Sequence, residues 1–274
     1  MALKDAYARP LASLDSLGEQ LAFHLRVLRA VPRAVTRYPR EILRILAEVT
    51  LGTGALAIIG GTVGVIIGMT FFTGAQVGLS GYAALDQLGT AAFSGFVSAY
   101  FNTREIAPLV AGIALAATVG CGFTAQLGAM RISEEVDALE VMAIPSMPFL
   151  VATRVVGGLI AIIPLYVVGL LSSYFASRLV VTRVYGQSAG TYDHYFNAFL
   201  PPGDVLWSFG KVLVFAVVVI LIHCYHGYTA SGGPAGVGVA VGRAVRTSIV
   251  AINVLDLLMS MAIWGASTTV RLAG

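Results

Sequence analysis

Long uncharged apolar stretches, separated by short charged ones, occupy most of the chain beyond residue 49. A helix needs about 20 apolar residues to cross a bilayer. The stretches that reach or approach this length are Thr50–Leu85, Gln87–Thr103, Ile106–Met130, Val155–Ser177, Val205–Tyr225 and Ser248–Val270. The pattern predicts six spans if the pair Arg104–Glu105 lies in a loop, and five if it lies inside one long second span. Gly74, Gly78 and Gly81 cluster near the end of the first stretch, where we expect the chain to turn.

The composition excludes a water-soluble enzyme. Of the 274 residues, 57% are hydrophobic and only 11% are charged, whereas soluble domains carry about 25% charged residues. The predicted fold class is therefore all-α, as a polytopic membrane protein. Lys and Arg are concentrated before residue 49, which places the N-terminus in the cytoplasm whether there are five spans or six. This excess accounts for the positive net charge and does not indicate nucleic-acid binding.

Residues 1–48 carry two periodic patterns. Leucines recur every three or four residues, which marks one face of a helix, and arginines recur at the same spacing across expected breaks at Pro32 and Pro39. The pattern favours amphipathic helices lying on the cytoplasmic membrane surface, with arginines binding anionic headgroups. The alternative is an ordinary positively charged cytoplasmic tail. The leucines are Leu14, Leu17, Leu21, Leu25 and Leu28, and the arginines are Arg26, Arg29, Arg33, Arg37, Arg40 and Arg44.

A short acidic helix is predicted over about residues 133–144, between two spans. Ser133 is a suitable N-cap, and Pro145 ends the helix. With about 11 residues it would be roughly 16 Å long, far too short to cross a bilayer. Its length and acidic face suit docking into a groove on another protein, and the alternative is a solvated loop helix. The apolar face is Ile132, Val136, Leu139 and Ala143, and the acidic face is Glu134, Asp137 and Glu140.

Ionisable residues inside spans are candidates for function, and Arg104, Glu105, Lys211 and Asp256 meet that description. They are too few to favour a proton relay. Small residues four apart let membrane helices approach closely. In the first span this pattern predicts either a subunit interface or packing within the chain. Its members are Gly60, Gly64 and Gly68.

The sequence predicts neither an enzyme nor a metal site. His223 and His226 flank Cys224, but no further ligand cluster lies nearby. The glycine-rich segment 231–238 lacks the Gly-Lys-Ser/Thr of a phosphate-binding loop. No set of nucleophile, base and acid is present either. We therefore expect no cofactor in this chain.

Three segments together resemble the signature of the MlaE/YrbE permeases, the membrane subunits of MCE-type ABC lipid transporters. These segments are Ala125–Arg131, then Glu134-x-x-Asp137-Ala-Leu-Glu140-x-Met-Ala-Ile-Pro145, then Leu150–Arg154. Further matches lie at Arg104-Glu-x-x-Pro108, Gly227–Tyr228, Ala235–Gly236, Arg243-x-x-x-Thr247 and Leu255–Asp256. The sequence is most similar to actinobacterial, mycobacterial-type members. It departs from the family at Thr153, where proline is frequent, and at Gly120–Phe123.

The resemblance implies five spans in a permease domain over residues 49–274, at about 50–76, 87–130, 152–177, 205–226 and 247–270. The acidic helix would be a coupling helix that docks on a separate cytoplasmic ATPase, and that ATPase would bind ATP and Mg²⁺. The resemblance assigns this contact to Arg131, Glu134, Glu135, Asp137 and Glu140. The C-terminus would lie outside.

The resemblance also implies a dimeric core with a second YrbE-type permease, topped by MCE subunits that form a tunnel. Lipid would pass through a pocket made by the first, second and fifth spans. Gly60, Gly64, Gly68, Arg104, Glu105 and Asp256 would then line that pocket or the subunit interface. Fatty acids, mycolic acids, sterols and phospholipids all fit such a pocket. The alternative function is an ion-coupled secondary transporter that uses Glu105, Lys211 and Asp256, for which the expected internal repeats are not found.

Overall fold

A computed structural model of the chain describes the backbone of residues 2–51 and 61–265, and the side chains of residues 18–50 and 61–265. Every regular element in these ranges is a helix, and five of the helices are long and apolar enough to cross a membrane. The predicted all-α membrane fold with five spans is thereby confirmed. The helices are α1 (Ala2–Arg37), α2 (Pro39–Leu51), α3 (Thr62–Gln87), α4 (Ala91–Ile132), α5 (Glu135–Val141), α6 (Met147–Val184), α7 (Ala189–Ala198), α8 (Pro202–Tyr228) and α9 (Gly233–Trp264).

The short helices α5 and α7 mark the two ends of the bundle. At the α5 end, Tyr228 of α8 lies 2.8 Å from Ser146, which precedes α6. At the α7 end, the Trp264 indole at the end of α9 donates to Asp204 at the start of α8, at 2.9 Å. Helices α1 and α2 pack at the α5 end, where Ile45 lies against Gly157 of α6. The odd number of spans thus places α1 and Trp264 at opposite ends.

Helix α3 corrects the expected turn at the glycines of the first span. The helix runs through Gly74, Gly78 and Gly81 to Gln87, eleven residues beyond the predicted end. The glycines do not break the helix, because they let α3 lie directly against the backbone of α6. A Cβ at Gly74 would come within 2.4 Å of the Ser173 carbonyl oxygen. The Ser177 hydroxyl donates to the Gly74 carbonyl across the same contact.

The two glycines Gly74 and Gly68 of α3 provide a matched test of this packing. We expect Gly74→Ala to lower the free energy of unfolding by about 1–3 kcal/mol, because the added methyl must push α3 away from α6. A Cβ at Gly68 would meet no atom of another described helix within 4 Å. Gly68→Ala should therefore be neutral, or stabilise the helix by up to about 1 kcal/mol. Thermal unfolding of the purified variants measures both, and equal midpoints would contradict the packing argument.

Helix α4 is one continuous helix of 42 residues. Arg104 and Glu105 lie within it rather than in a loop, in a π-helical turn over Asn102–Ile106. Pro108 does not break the helix, because α-helix resumes at Ala107 and contains Pro108 in its first turn. A proline is tolerated at this position, because the wider turn before it has already changed the hydrogen-bond register. The second span is therefore long and unbroken.

Helix α1 has three distinct faces rather than two. At 100° per residue, the exposed leucines Leu21, Leu25 and Leu28 form one stripe, and the arginines form a second about 120° away. A third stripe, with Phe23 and Val27, is buried against the rest of the protein. The predicted break at Pro32 is wrong, since α1 continues to Arg37. A helix with separate apolar, basic and core-packing faces suits a position between the bundle and the membrane surface.

Candidate functional site

A cluster of buried charged side chains joins α4, α8 and α9 toward the α7 end. Arg104 is buried and forms an ion pair with Asp204 of α8, with 2.6 Å between Nη2 and Oδ2. The Tyr100 ring lies 4.2 Å from its guanidinium carbon, and the Trp264 indole donates to the same Asp204 carboxylate. The Asp204 carboxylate at the start of α8 therefore joins α4 to the end of α9.

Lys211 of α8 lies at the centre of the cluster and is 0% exposed. Its ammonium lies 2.7 Å from Asp256 Oδ1 of α9 and 3.5 Å from Glu105 Oε2 of α4. It also donates to the Ser260 hydroxyl at 2.8 Å, and Ser260 in turn donates to Glu105 at 2.8 Å. The charges predicted as separate candidates in three spans are thus brought into one network.

The backbone of α4 contributes an acceptor to this network. In an α-helix the carbonyl of Arg104 would bond to the N–H four residues later, but that residue is Pro108, which has none. Lys211 Nζ donates to the Arg104 carbonyl at 2.7 Å instead. The sequence Arg104-Glu-x-x-Pro108 therefore provides both the charged side chains and a backbone carbonyl acceptor for the lysine.

The cluster contains two cations and three carboxylates, and each cation lies beside a carboxylate. Its members are Arg104, Glu105, Asp204, Lys211 and Asp256. Glu105 is the most accessible of them, with 36% of its side chain exposed. Buried ions are stable only when they are paired and hydrogen-bonded. The arrangement can fix the relative positions of three spans, and it presents one carboxylate toward the outside of the chain.

An apolar groove lies between α3 and α4, beside this cluster. It has a volume of about 350 Å³, and the close approach of Gly81 to Val97 brings the two helices together along it. One lining residue, Ile106, directly follows Glu105 in the π-helical turn. The lining residues are Val77, Ser80, Gly81, Ala84, Leu85, Val97, Phe101 and Ile106. Aliphatic walls of this kind can hold a hydrocarbon chain but offer few groups for a polar solute.

The short acidic helix is present as α5 but is shorter than predicted, over Glu135–Val141. Ser133 is not its N-cap, because its hydroxyl donates back to the Ala129 carbonyl at the end of α4. Glu134 instead takes a left-handed conformation, with φ of 62°, and separates α4 from α5. The predicted apolar face is confirmed at Val136, which is buried.

The acidic residues around α5 have different surroundings. Arg131 pairs with Asp137 at 2.6 Å. Glu140 accepts hydrogen bonds from the hydroxyl and the backbone N–H of Ser146, and these bonds lower the pKa of its carboxyl group. Glu140 thus connects α5 to the start of α6, whereas Glu134 and Glu135 are exposed.

Two large apolar side chains extend the outer surface of α5. Val141 is 88% exposed and Met142 is 61% exposed at the end of α5, and the exposed Glu134 and Glu135 stand at its start. Exposed apolar residues beside charged ones are typical of surfaces that another protein covers. We define Glu134, Glu135, Val141 and Met142 as the α5 surface.

The six arginines of the predicted headgroup-binding row are all exposed. Arg44 differs from the others, because it pairs with Glu41 at 2.6 Å and with Glu48 at 3.3 Å. The hydrogen bond to Glu41 is the main cause of a raised pKa at Arg44. Its charge is therefore balanced within α2, while Arg26, Arg29, Arg33, Arg37 and Arg40 have no carboxylate partner among the described side chains.

Arg154 forms a polar contact that the sequence reasoning missed. It is buried at the start of α6, where it donates to the Leu150 carbonyl at 2.6 Å and to the Gln126 side chain of α4 at 3.2 Å. Gln126 in turn donates to Glu48 of α2. An amide accepts on one side and donates on the other, so Gln126 links a buried cation to a carboxylate on a different helix. Both residues belong to segments that resemble the family signature.

The glycine pattern of the first span is only partly described. Gly60 lies outside the described residues, Gly64 and Gly68 are half-buried, and a Cβ at Gly68 would have no described neighbour within 4 Å. Gly68 therefore makes no close contact with the other described helices, and both the subunit interface and packing within the chain stay predictions for this pattern. The two histidines of α8 have different surroundings. His223 is buried, with Nδ1 2.8 Å from Thr124 Oγ1, whereas His226 lies at the α5 end.

Comparison with known proteins identifies one family. The family described as Permease MlaE matches residues 52–262. A probable ABC transporter permease protein of Rickettsia bellii is 28% identical over 92% of this chain and 93% of its own length. The intermembrane phospholipid transport system permease protein MlaE of Haemophilus influenzae is 27% identical over 71% of this chain and 75% of its own length. The chloroplastic protein TRIGALACTOSYLDIACYLGLYCEROL 1 of Arabidopsis thaliana is 29% identical over 73% of this chain and 57% of its own length.

Proposed function

The chain belongs to the MlaE permease family, and on that premise we propose that it is the membrane-spanning subunit of an ABC transporter that moves lipids across the inner membrane. The observation that carries this proposal is the apolar groove between α3 and α4. An aliphatic groove that opens on the side of a membrane-spanning bundle can accept an acyl chain directly from the bilayer. Glu105 precedes the lining residue Ile106 in α4, and its carboxylate belongs to the charged cluster beside the groove.

Two of the five spans, α3 and α9, are much less covered than the others. Only 22% of the most apolar part of α3 and 11% of that of α9 is buried within the chain, against 50–61% for the other three spans. Phe72 of α3 is 74% exposed. Faces of this kind suit a second YrbE-type permease, so that the groove and Gly68 would lie at the centre of a dimer. MCE subunits at the α7 end would continue the path.

The energy source would be a separate ATPase that binds ATP and Mg²⁺ and docks on the α5 surface. ATP can move the spans only if the ATPase contacts α5 differently in its ATP-bound and empty states. The Glu140–Ser146 contact supports this role, because it connects α5 to α6. In this proposal α1, α2 and α5 are cytoplasmic, and the end of α9 lies outside. The basic residues of the N-terminal helices support that orientation.

The docking proposal predicts that Val141→Asp/Met142→Asp removes the ATPase from the purified complex without preventing membrane insertion. Two carboxylates at the centre of a docking surface would have to be buried without partners, at a cost of several kcal/mol. The measurement is the amount of ATPase that copurifies with the tagged permease, together with its lipid-stimulated ATP hydrolysis. Val184→Asp is the matched control, since Val184 is 65% exposed at the opposite end. Full recovery of an active ATPase with the double variant would refute docking at this surface.

An ion-coupled secondary transporter is the second candidate, because the cluster brings Glu105, Lys211 and Asp256 together. Intramembrane groups of this kind can carry protons or ions. The two candidates differ in what drives transport. Proteoliposomes containing this permease without an ATPase, under an imposed proton gradient, should show no movement of labelled phospholipid. Gradient-driven transport in that preparation would favour the second candidate.

A further inference from the structure

A polar pocket lies at the α5 end, between the last turn of α8 and the first turns of α9. Its volume is about 230 Å³, and its walls include His226, Ser231, Gly236, Val239 and Arg243. None of the residues that line it is acidic. It is separate from the charged cluster, which joins the opposite halves of the same two helices.

The charged side chain at this pocket has no counter-ion within the described part of the chain. Arg243 takes part in none of the ion pairs there, and neither does His226. A guanidinium presents five donors in a plane and stays charged at all physiological pH values. An imidazole N–H and the Ser231 hydroxyl add neutral donors. The pocket therefore offers positive charge and hydrogen-bond donors, and none of the described carboxylates neutralises that charge.

The loop before α9 is shaped so that the backbone also borders the pocket. Gly232 and Gly233 both have positive φ, of 86° and 70°. A Cβ at Gly236 would lie 1.8 Å from the Ser231 carbonyl oxygen, so only glycine permits this fold of segment 231–236. The α9 residues that line the pocket, from Gly236 to Arg243, lie along one side of this 32-residue helix.

We propose that the α8–α9 pocket binds the phosphate group of an anionic lipid headgroup. Helix α1 lies next to it, with the Phe23 ring 5.3 Å from that of Tyr225 in the last turn of α8. The proposed function places α1 at the cytoplasmic membrane surface, and this placement is what favours a lipid over a free phosphate ion. The volume fits a phosphate and a few attached atoms rather than acyl chains, which would remain in the bilayer.

The test uses the full chain purified in an uncharged, phosphate-free detergent and titrated by calorimetry. The probes are dihexanoyl phosphatidylglycerol, dihexanoyl phosphatidylcholine and inorganic phosphate. We expect Arg243→Gln to weaken binding of the anionic lipid about tenfold to hundredfold, because a charge-assisted hydrogen bond is lost. Arg243→Lys should weaken it less. Arg246→Gln is the matched control, since Arg246 lies on the same helix, is exposed and does not line the pocket.

The three probes distinguish the sources of the phosphate. Arginine-dependent binding of the anionic lipid alone supports the proposal as stated. Equally strong arginine-dependent binding of inorganic phosphate contradicts the lipid as the ligand and indicates a site for free phosphate. Absence of binding, or an equal loss in the Arg243 and Arg246 variants with unchanged thermal unfolding, overturns the site itself. Transport is not measured, so each of these outcomes leaves the proposed function to its own test.

Discussion

Lys211→Met is expected to be the most destabilising single substitution in the bundle. It removes the cation between Asp256 and Glu105 and leaves two carboxylates facing each other, with the Arg104 carbonyl deprived of its donor. Breaking a buried ion pair from one side costs about 3–5 kcal/mol. For a chain of this size that corresponds to a fall in the thermal unfolding midpoint of roughly 10 °C or more. The measurement is the unfolding midpoint of the purified permease in detergent.

Two further variants show whether the loss of the Lys211 charge causes the destabilisation. Lys211→Met/Asp256→Asn removes one charge of each sign and should recover at least half of the loss, because the remaining Glu105 is partly exposed. Arg178→Met breaks the exposed pair between Arg178 and Asp193, which should cost no more than about 1 kcal/mol. If Lys211→Met unfolds at the wild-type temperature, the cluster does not hold α4, α8 and α9 together.

Ala84→Trp is expected to reduce lipid transport at least tenfold while leaving the complex assembled. Ala84 lies on the wall of the groove, and an indole there would fill much of its approximately 350 Å³. The substitution leaves the charged cluster and the α5 surface unchanged, so ATP hydrolysis should continue. Transfer of a labelled phospholipid by the reconstituted transporter is the measurement.

Ala84→Ser is the control at the same position, because it changes polarity with little change in volume. It should transport at close to the wild-type rate. If the tryptophan variant transports as fast as the serine variant, lipid does not pass through this groove. A loss of assembly in Ala84→Trp would instead indicate that a second permease covers Ala84.

The spans could be predicted because hydropathy depends only on local sequence. Uncharged length identified five or six helices, and the resemblance to the family favoured five, which is confirmed. The positions of the helix ends could not be obtained in this way. Gly74 and Gly78 extend α3 because they pack on Ser173 and Ser177, contacts made about 100 residues away in the chain. Clustered glycines occur both in turns and at close contacts between helices, so the sequence alone does not distinguish the two.

The cluster was predictable in part. Ionisable residues within spans drew attention to Arg104, Glu105, Lys211 and Asp256. Asp204 was missed, because it lies next to Pro201 and Pro202 at the edge of a span, where a carboxylate is unremarkable. Its importance arises from Arg104 and Trp264, at sequence separations of 100 and 60 residues. Hydropathy identifies isolated charges in apolar surroundings, but the pairing between them depends on how the helices pack.

Because Glu140 is hydrogen-bonded to Ser146, a displacement of α5 would tilt α6 from its first residues. With 38 residues, α6 is about 57 Å long. If its two halves move together across the internal Pro164, a tilt of about 5° at one end displaces the other by roughly 5 Å. Because α3 lies against α6 at Gly74 and Gly78 without intervening side chains, it would have to follow that swing. A displacement of α5 that leaves its hydrogen bond to Ser146 intact would thereby change the width of the proposed acyl-chain groove on the other side of the bilayer.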